Sequence, residues 1–262
     1  MKTLRRPRFR FILLSLLAFP AALLADLKLT FDVTQETSTP ARPASEASHS
    51  TQTFTITVVL SDHAFSRTGG PDSTFIDFST RRSYRAIPAD ASFVASSLYA
   101  NIGFREAELH NRLMLAQSLA AAGVKENLFD PVLFESALSL RTPNSPPLTA
   151  GTSDDRISYT HGEKPLAFFR RTGFELTENE AAQFVRFLRY SYSTHPDILA
   201  RLQTLRIVPQ EFEIHRYDAA ADRFHFVLTK AERVTDSVSS SPFLQGLKGS
   251  RASSAELRAA LA

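Results

Sequence analysis

Seven histidines and 27 acidic residues are the raw material for chemistry in this chain. Three of them fall where a fold could use them together. In "EFEIHRYDAAADRFHFVL", a hairpin closed by Asp218 to Asp222 sets Tyr217 opposite Arg223 and His215 opposite His225, with Glu213 two residues along the same face. Two imidazoles one strand spacing apart and a carboxylate could hold Zn²⁺ and leave a position for water, the equipment of a metal-assisted hydrolase. The competing reading is a polar, solvated sheet face on which histidines happen to pair, and no recognised ligand spacing favours the metal.

A second group lies on a helical stretch, where Glu106 and His110 are four apart and share a side, with Glu135 able to approach from the following helix. A surface interaction like that of Glu108 and Arg112 beside them explains the spacing as well. HExxH, GxSxG and SxxK are all absent, as is cysteine, so no local context marks a nucleophile. No GxxxxGK[ST] or GxGxxG pattern marks a phosphate loop, and no cofactor is implied. Arg81-Arg82 and Arg170-Arg171 are candidates for an anion patch facing lipid phosphate or an envelope polymer. Basic residues at hairpin turns and edge strands also serve to prevent edge-to-edge aggregation.

The N-terminus fixes the setting in which any such site works. Lys2, Arg5, Arg6, Arg8 and Arg10 precede an apolar block from Phe11 to Leu24, which ends in small residues before Asp26. This is the pattern of a secretory signal peptide over residues 1–25, and the block is shorter than the roughly 20 residues of a comfortable membrane span. Without cysteine there is neither a lipid-attachment site nor a disulfide, so stability rests on packing. Cleavage removes five positive charges and no negative one, taking the net charge from +3 to −2. The case for nucleic-acid binding goes with them. A bacterial protein of the periplasm first and the extracellular space second, exported by the general route and without a transmembrane segment after cleavage, is the expectation.

The remaining residues suit one domain over 26–233, with a loosely ordered tail over 234–262. Phenylalanine occurs 21 times and tryptophan never, so the core is built on Phe, Leu, Ile and Val. "DLKLTFDVT" and "QTFTITVVLS" alternate as half-buried strands. Between them the stretch 35–51 reads as a polar loop. "STFIDFSTRRSYRAI" reads as a hairpin around Thr80 to Arg82 that sets Phe78 opposite Tyr84. The helical segment from about 104 to 140 is expected to cover the greasy face of this meander, through Leu109, Leu113, Ala116 and Ala120. Proline-rich residues 141–155 are a connector or a lid. Thr177 with Glu180 forms a capping box at the head of another helix, and Pro196 starts the next.

These elements define an α+β domain: a curved antiparallel sheet, half-barrel or roll, with helices packed on its apolar concave face. The exported start, "LKLTFDV", "TFTITVVL" and "STFIDFSTRRSYRAI" together resemble the opening of the periplasmic lipoprotein-carrier (LolA/LolB-like) superfamily. The resemblance spans roughly residues 27–87. It implies a half-barrel that holds acyl chains under helical lids, and a lipid or acylated ligand as partner. No functional residue carries across. The long helical stretch, the missing tryptophan and the extra length depart from that pattern. The expectations, in order, are a non-enzymatic binding module for an apolar or acylated ligand, an envelope protein-interaction or scaffold protein, and a metal-assisted hydrolase.

Overall fold

The computed structural model describes residues 26–40, 46–87, 91–124, 130–142, 147–217, 220–235 and 248–251, together with Ser145, Val238, Phe243 and Gln245. The expected signal peptide over 1–25 lies outside them, as does most of the stretch 234–262. Strands β1 (Asp26–Thr39), β2 (Ser48–Leu60), β3 (Ala64–Thr68), β4 (Ser73–Asp77), β5 (Arg82–Ile87) and β6 (Ser92–Ser97) form a meander leading into helices α1 (Leu98–Ala121) and α2 (Pro131–Leu138). After them come β7 (Ala150–Thr152), β8 (Arg156–His161), β9 (Lys164–Arg170), β10 (Gly173–Glu175), α3 (Glu178–Tyr192) and α4 (Pro196–Leu205). The chain closes with β11 (Ile207–Pro209), β12 (Glu211–Tyr217), β13 (Ala221–Val234) and β14 (Lys248–Arg251).

Twelve strands make one open sheet in the order β14-β6-β5-β4-β3-β2-β1-β13-β12-β9-β8-β7, while β10 and β11 pair separately. Neighbours are antiparallel except β14, which runs parallel to β6. The fold is therefore α+β with an open, curved antiparallel sheet. Curvature follows from the contacts. Four strand spacings, about 19 Å on a flat sheet, separate β3 from β12. Yet Phe65 of β3 meets Phe187 at 5.6 Å and Phe212 of β12 meets Phe184 at 6.1 Å, on adjacent turns of α3.

Alternation puts Leu27, Leu29, Phe31 and Val33 of β1 and Ile56, Val58 and Leu60 of β2 on the concave face, each fully buried. The predicted capping box starts α3, with Thr177 Oγ1 accepting from the Glu180 N–H at 3.2 Å and Glu180 Oε2 accepting from the Thr177 N–H at 2.7 Å. Arg233 of β13 reaches the same carboxylate at 2.6 and 2.9 Å, which ties the helix head to the sheet. Pro196 stands in the first turn of α4 as expected. At the β3–β4 turn Gly69 has φ +85°, and a Cβ there would sit 2.2 Å from the Thr55 carbonyl oxygen.

Three local expectations are corrected. Most of the stretch read as a loop is strand, since β1 continues to Thr39 and β2 begins at Ser48. Thr34 to Ser38 pair with β13 on one side and β2 on the other. A strand held by two neighbours needs no apolar alternation to persist, so composition concealed it. In the β4–β5 hairpin, Phe75 rather than Phe78 faces Tyr84. The carboxylate of Asp77 accepts from the Ser79 and Thr80 N–H groups at 2.8 and 3.0 Å, which sets the turn at 78–81. Phe78 is thereby freed to meet Tyr190 of α3 at 5.4 Å. The cover of the concave face is also not the 104–123 helix. Leu109, Leu113 and Ala116 of α1 are half-buried and Ala120 is exposed. Helices α3 and α4 fill the concavity instead, with Phe184, Phe187, Leu188 and Tyr192, and Ile198, Leu199 and Leu202, all nearly or fully buried. Large rings on α3 match the Phe-rich strands better than the small residues of α1.

The stretch 141–155, read as a connector or a lid, carries the short strand β7. Within the stretch 234–262 the Val238 N–H donates to Asp26 Oδ2 at 2.9 Å, and Phe243 lies against Phe75 with ring centroids 5.9 Å apart.

Candidate functional site

The closing hairpin has a shorter loop than its sequence predicts. Tyr217 pairs with Ala221, His215 with Arg223 and Glu213 with His225, so the connection is residues 218–220. A two-residue slip keeps every side chain on its face but changes its partner. His215 and His225 therefore do not oppose each other. His215 Nε2 lies 3.2 Å from Glu213 Oε2, while His225 Nε2 lies 3.0 Å from Glu211 Oε1. Arg223 bridges Glu213 and Glu36, the latter at 3.0 Å, and Arg170 bridges Glu211 at 2.7 Å and Asp155 at 2.6 Å. Acids and bases thus alternate across β1, β13, β12 and β9 on the convex face. Among the described residues no group of three or more potential metal ligands converges.

Burial would raise the Glu213 carboxyl, but hydrogen bonds from His215 and Arg223 outweigh it and hold the pKa at about 2, against 4.5 in an unfolded chain. A carboxyl with a depressed folded pKa stabilises the protein fully above its unfolded value, and the contribution is lost as pH falls through 2. The shift corresponds to at most about 3 kcal/mol, which solvent screening at this half-open face trims to roughly 1–2 kcal/mol. Urea unfolding of the wild type at pH 7 and pH 3 will show that loss, and Glu213→Gln will be less stable at pH 7 and less sensitive to the change. An equal drop in both proteins would sink this assignment.

The arginine candidates separate. Six strands lie between β5, which begins at Arg82, and β9, which ends at Arg170, so the two pairs form no common patch. Arg81 stacks over the Tyr99 ring at 4.8 Å, Arg170 belongs to the convex ladder, and Arg171 is exposed beyond β9. On α1, Glu106 and His110 are both exposed and the predicted Glu108–Arg112 pair forms at 2.7 Å.

Glu135 does not join Glu106 and His110. It is fully buried beside His195, which is 1% exposed. Glu135 Oε1 accepts from the Thr142 N–H at 2.7 Å and from the Thr142 hydroxyl, while Oε2 accepts from Ser145 Oγ at 3.1 Å and faces His195 Nε2 at 3.0 Å. His195 is also the N-cap of α4, its Nδ1 accepting from the Asp197 N–H at 3.1 Å. An accepting Nδ1 places the proton on Nε2, which donates to Glu135. Burial pulls the imidazole pKa below its usual range although Glu135 opposes that shift. Asp197 completes the node by accepting from the Leu148 N–H at 2.8 Å and pairing with Arg141. A polar cluster thereby ties Thr142, Ser145 and Leu148 to α2 and to the head of α4. No spacing rule connects residues 135 and 195, so sequence reading missed it.

Beside this node a groove of about 330 Å³ runs between α3, α4 and the β4–β5 turn. Phe78, Val185, Tyr190, Pro196 and Leu199 give it an apolar floor, while Arg186 and Arg189 stand along it. Arg186 is fixed, with its guanidinium carbon 4.6 Å from the Phe78 ring centroid and Nη1 donating to the Asp62 carbonyl at 3.0 Å. Arg189 is exposed and makes no hydrogen bond or ion pair among the described residues. The groove could take an apolar chain of modest width. Its signal in the sequence was Val185 and Tyr190, apolar residues beside the stripe that α3 buries.

No family model matches this chain, and no curated protein matches it in sequence. Among solved structures it is similar to a LolA superfamily protein from Nitrosomonas europaea, with 8% sequence identity and a TM-score of 0.32 over 82% of this chain and 88% of that one.

Proposed function

We propose that this chain is an exported, non-enzymatic binding protein of the bacterial envelope, which takes an apolar or acylated ligand in the groove between α3, α4 and the β4–β5 turn. The observation that carries the reading is the groove itself, an apolar trough on the surface of a rigid α3–α4 elbow, with cations along it. Ligand sites pair mostly apolar walls with a few fixed polar groups. The cationic leader with its apolar core supports export.

Native mass spectrometry of the protein recovered from periplasm, before and after mild denaturing extraction, is the test, and a co-purifying mass of lipid size is the expected result. Ala200→Trp, which fills the groove from an exposed position of α4, will weaken binding of a fluorescent fatty-acid probe at least about tenfold, or about 1.4 kcal/mol. Unchanged probe affinity in that variant would overturn the assignment to this groove.

A second reading rests on α1, where Tyr99, Phe104, Met114 and Leu115 are 44–58% exposed. Large apolar side chains presented along one helix suit an envelope protein-interaction role. That reading expects a bare protein mass together with loss of a partner when Met114 and Leu115 are replaced by Ser.

A further inference from the structure

Beyond its first residues, helix α1 meets the rest of the molecule along a single stripe, where Arg105, Leu109, Leu113 and Ala116 follow one another at helical spacing and are half-buried. The opposite side has the same spacing. It runs through Phe104, Ala107, Asn111, Leu115 and Ser118, with Met114 beside Leu115, and all six are exposed. None of them is charged. Ser118 Oγ is satisfied inside the helix by donating to the Met114 carbonyl at 2.9 Å, which leaves the Asn111 amide as the unused polar group of this face among the described residues.

The order of residues along the face suits a second copy of the same helix. Phe104 and Leu115 lie toward one edge, and Glu108 and Arg112 stand just outside that edge. Positions 104 and 115 centre on 109.5 and positions 108 and 112 on 110, so the apolar pair and the charged pair share one midpoint. Two helices laid antiparallel about a twofold axis at that midpoint put Phe104 of each on Leu115 of the other, and Glu108 of each beside Arg112 of the other. Glu108 and Arg112 are already joined at 2.7 Å within the helix, with about half of each side chain exposed, and the guanidinium carbon of Arg112 is 4.5 Å from the Phe134 ring centroid. A second copy closes them into a ring of four alternating charges. Asn111, next to the axis, meets its own counterpart, and an amide that both donates and accepts satisfies itself in such a pair. A polar residue at that place also fixes the register. A membrane surface fits less well, because α1 carries Arg105 and Arg112 against Glu106 and Glu108 and so lacks the cationic border that draws a surface helix to lipid.

We infer that α1 is a homodimerisation helix: two copies of this chain pair antiparallel through Phe104, Ala107, Met114 and Leu115, about an axis beside Asn111. The inference rests on the second reading above and names its partner. It is independent of the groove. One helix face is a small interface, so the dimer is a reversible one with a dissociation constant in the micromolar range.

Sedimentation equilibrium of the protein recovered from periplasm, from about 1 to about 200 µM, is the test, and the mass is expected to rise from one chain to two across that range. Phe104→Ser and Leu115→Ser, at exposed positions, will each raise the dissociation constant at least about tenfold while leaving the circular dichroism unchanged. Glu108→Arg and Arg112→Glu will each weaken self-association, and an equimolar mixture of the two will associate more tightly than either alone, since the mixed pair opposes unlike charges. The chain has no cysteine of its own. Phe104→Cys mixed with Leu115→Cys will therefore give disulfide-linked dimers on oxidation, and Phe104→Cys by itself will not.

A single-chain mass at every concentration would overturn the dimer without overturning the second reading. Loss of a different envelope protein from that monomer on Leu115→Ser would assign the face to that protein, and flotation of the monomer with phosphatidylglycerol vesicles would assign it to a membrane. A dimer that neither serine variant loosens would overturn the inference by placing the contact elsewhere. Self-linking of Phe104→Cys in preference to the mixture would overturn the antiparallel arrangement.

Discussion

Glu135→Ala will lower the unfolding free energy by roughly 3–5 kcal/mol, because it strips the acceptor from donors most of which have no water to turn to. The Thr142 N–H, the Thr142 and Ser145 hydroxyls and His195 Nε2 all converge on this carboxylate, and Glu135 and His195 are 0% and 1% exposed. Loss of the partner leaves the Thr142 groups and His195 Nε2 buried and unsatisfied, while the half-buried Ser145 hydroxyl can turn to solvent. The damage should spread outward, since the same contacts hold Thr142, Ser145 and Leu148 and orient the cap of α4. Hydrogen exchange at the Thr142 and Leu148 amides will quicken in the variant even where the global fold is retained. Urea unfolding of Glu135→Ala beside Glu106→Ala, an exposed carboxylate, is the measurement. A difference between the two below about 1 kcal/mol would remove the node from the list of things that hold this fold.

The same node adds an acid-sensitive element. An imidazole with a lowered folded pKa stabilises the protein fully above its unfolded value near 6.5, and the contribution is lost as pH falls through the folded one. Protonation at Nδ1 would also turn the acceptor of the Asp197 N–H into a donor at the positive end of a helix. This window opens at 6.5 and that of Glu213 at 4.5, so on acidification the loss from His195 begins first.

Phe226→Ala will cost roughly 3–5 kcal/mol through the transfer and cavity terms together. Phe226 is fully buried and stacks on Phe212 with centroids 4.4 Å apart, with Tyr192 at 4.9 Å and Phe31 at 5.9 Å. Three elements, β12, α3 and β1, meet at this ring, and none can move far enough to close the void without disturbing the others. The next residue supplies the control. Val227 points to the convex side and is 38% exposed, so Val227→Ala should fall within about 0.5 kcal/mol of the wild type. Comparable losses at the two positions would mean that β13 does not divide core from solvent where its alternation says it does.

What could be read from residues alone were features whose cause is local. Strict alternation in 27–33 and 54–60 marked two strands and their buried faces, because a pleated strand has a period of two whatever it packs against. Thr177 with Glu180 and Pro196 were legible for the same reason, since the start of a helix is satisfied within a few residues. From those elements the α+β class followed.

Tertiary structure decided everything that depends on partners distant in sequence. It lengthened β1 to Thr39 by pairing a polar strand on both sides, and it shifted the closing hairpin by two residues, so that His215 and His225 found separate carboxylates. It gave the concave face to α3 and α4 rather than α1, because covering a Phe-rich sheet depends on the matching of ring volumes and not on which helix comes first. Glu135 and His195, 60 residues apart, and the groove between α3, α4 and the β4–β5 turn, exist only once the chain is closed. Local sequence carries the periodicity of each element, whereas register, cover and site come from the meeting of surfaces that no short window contains.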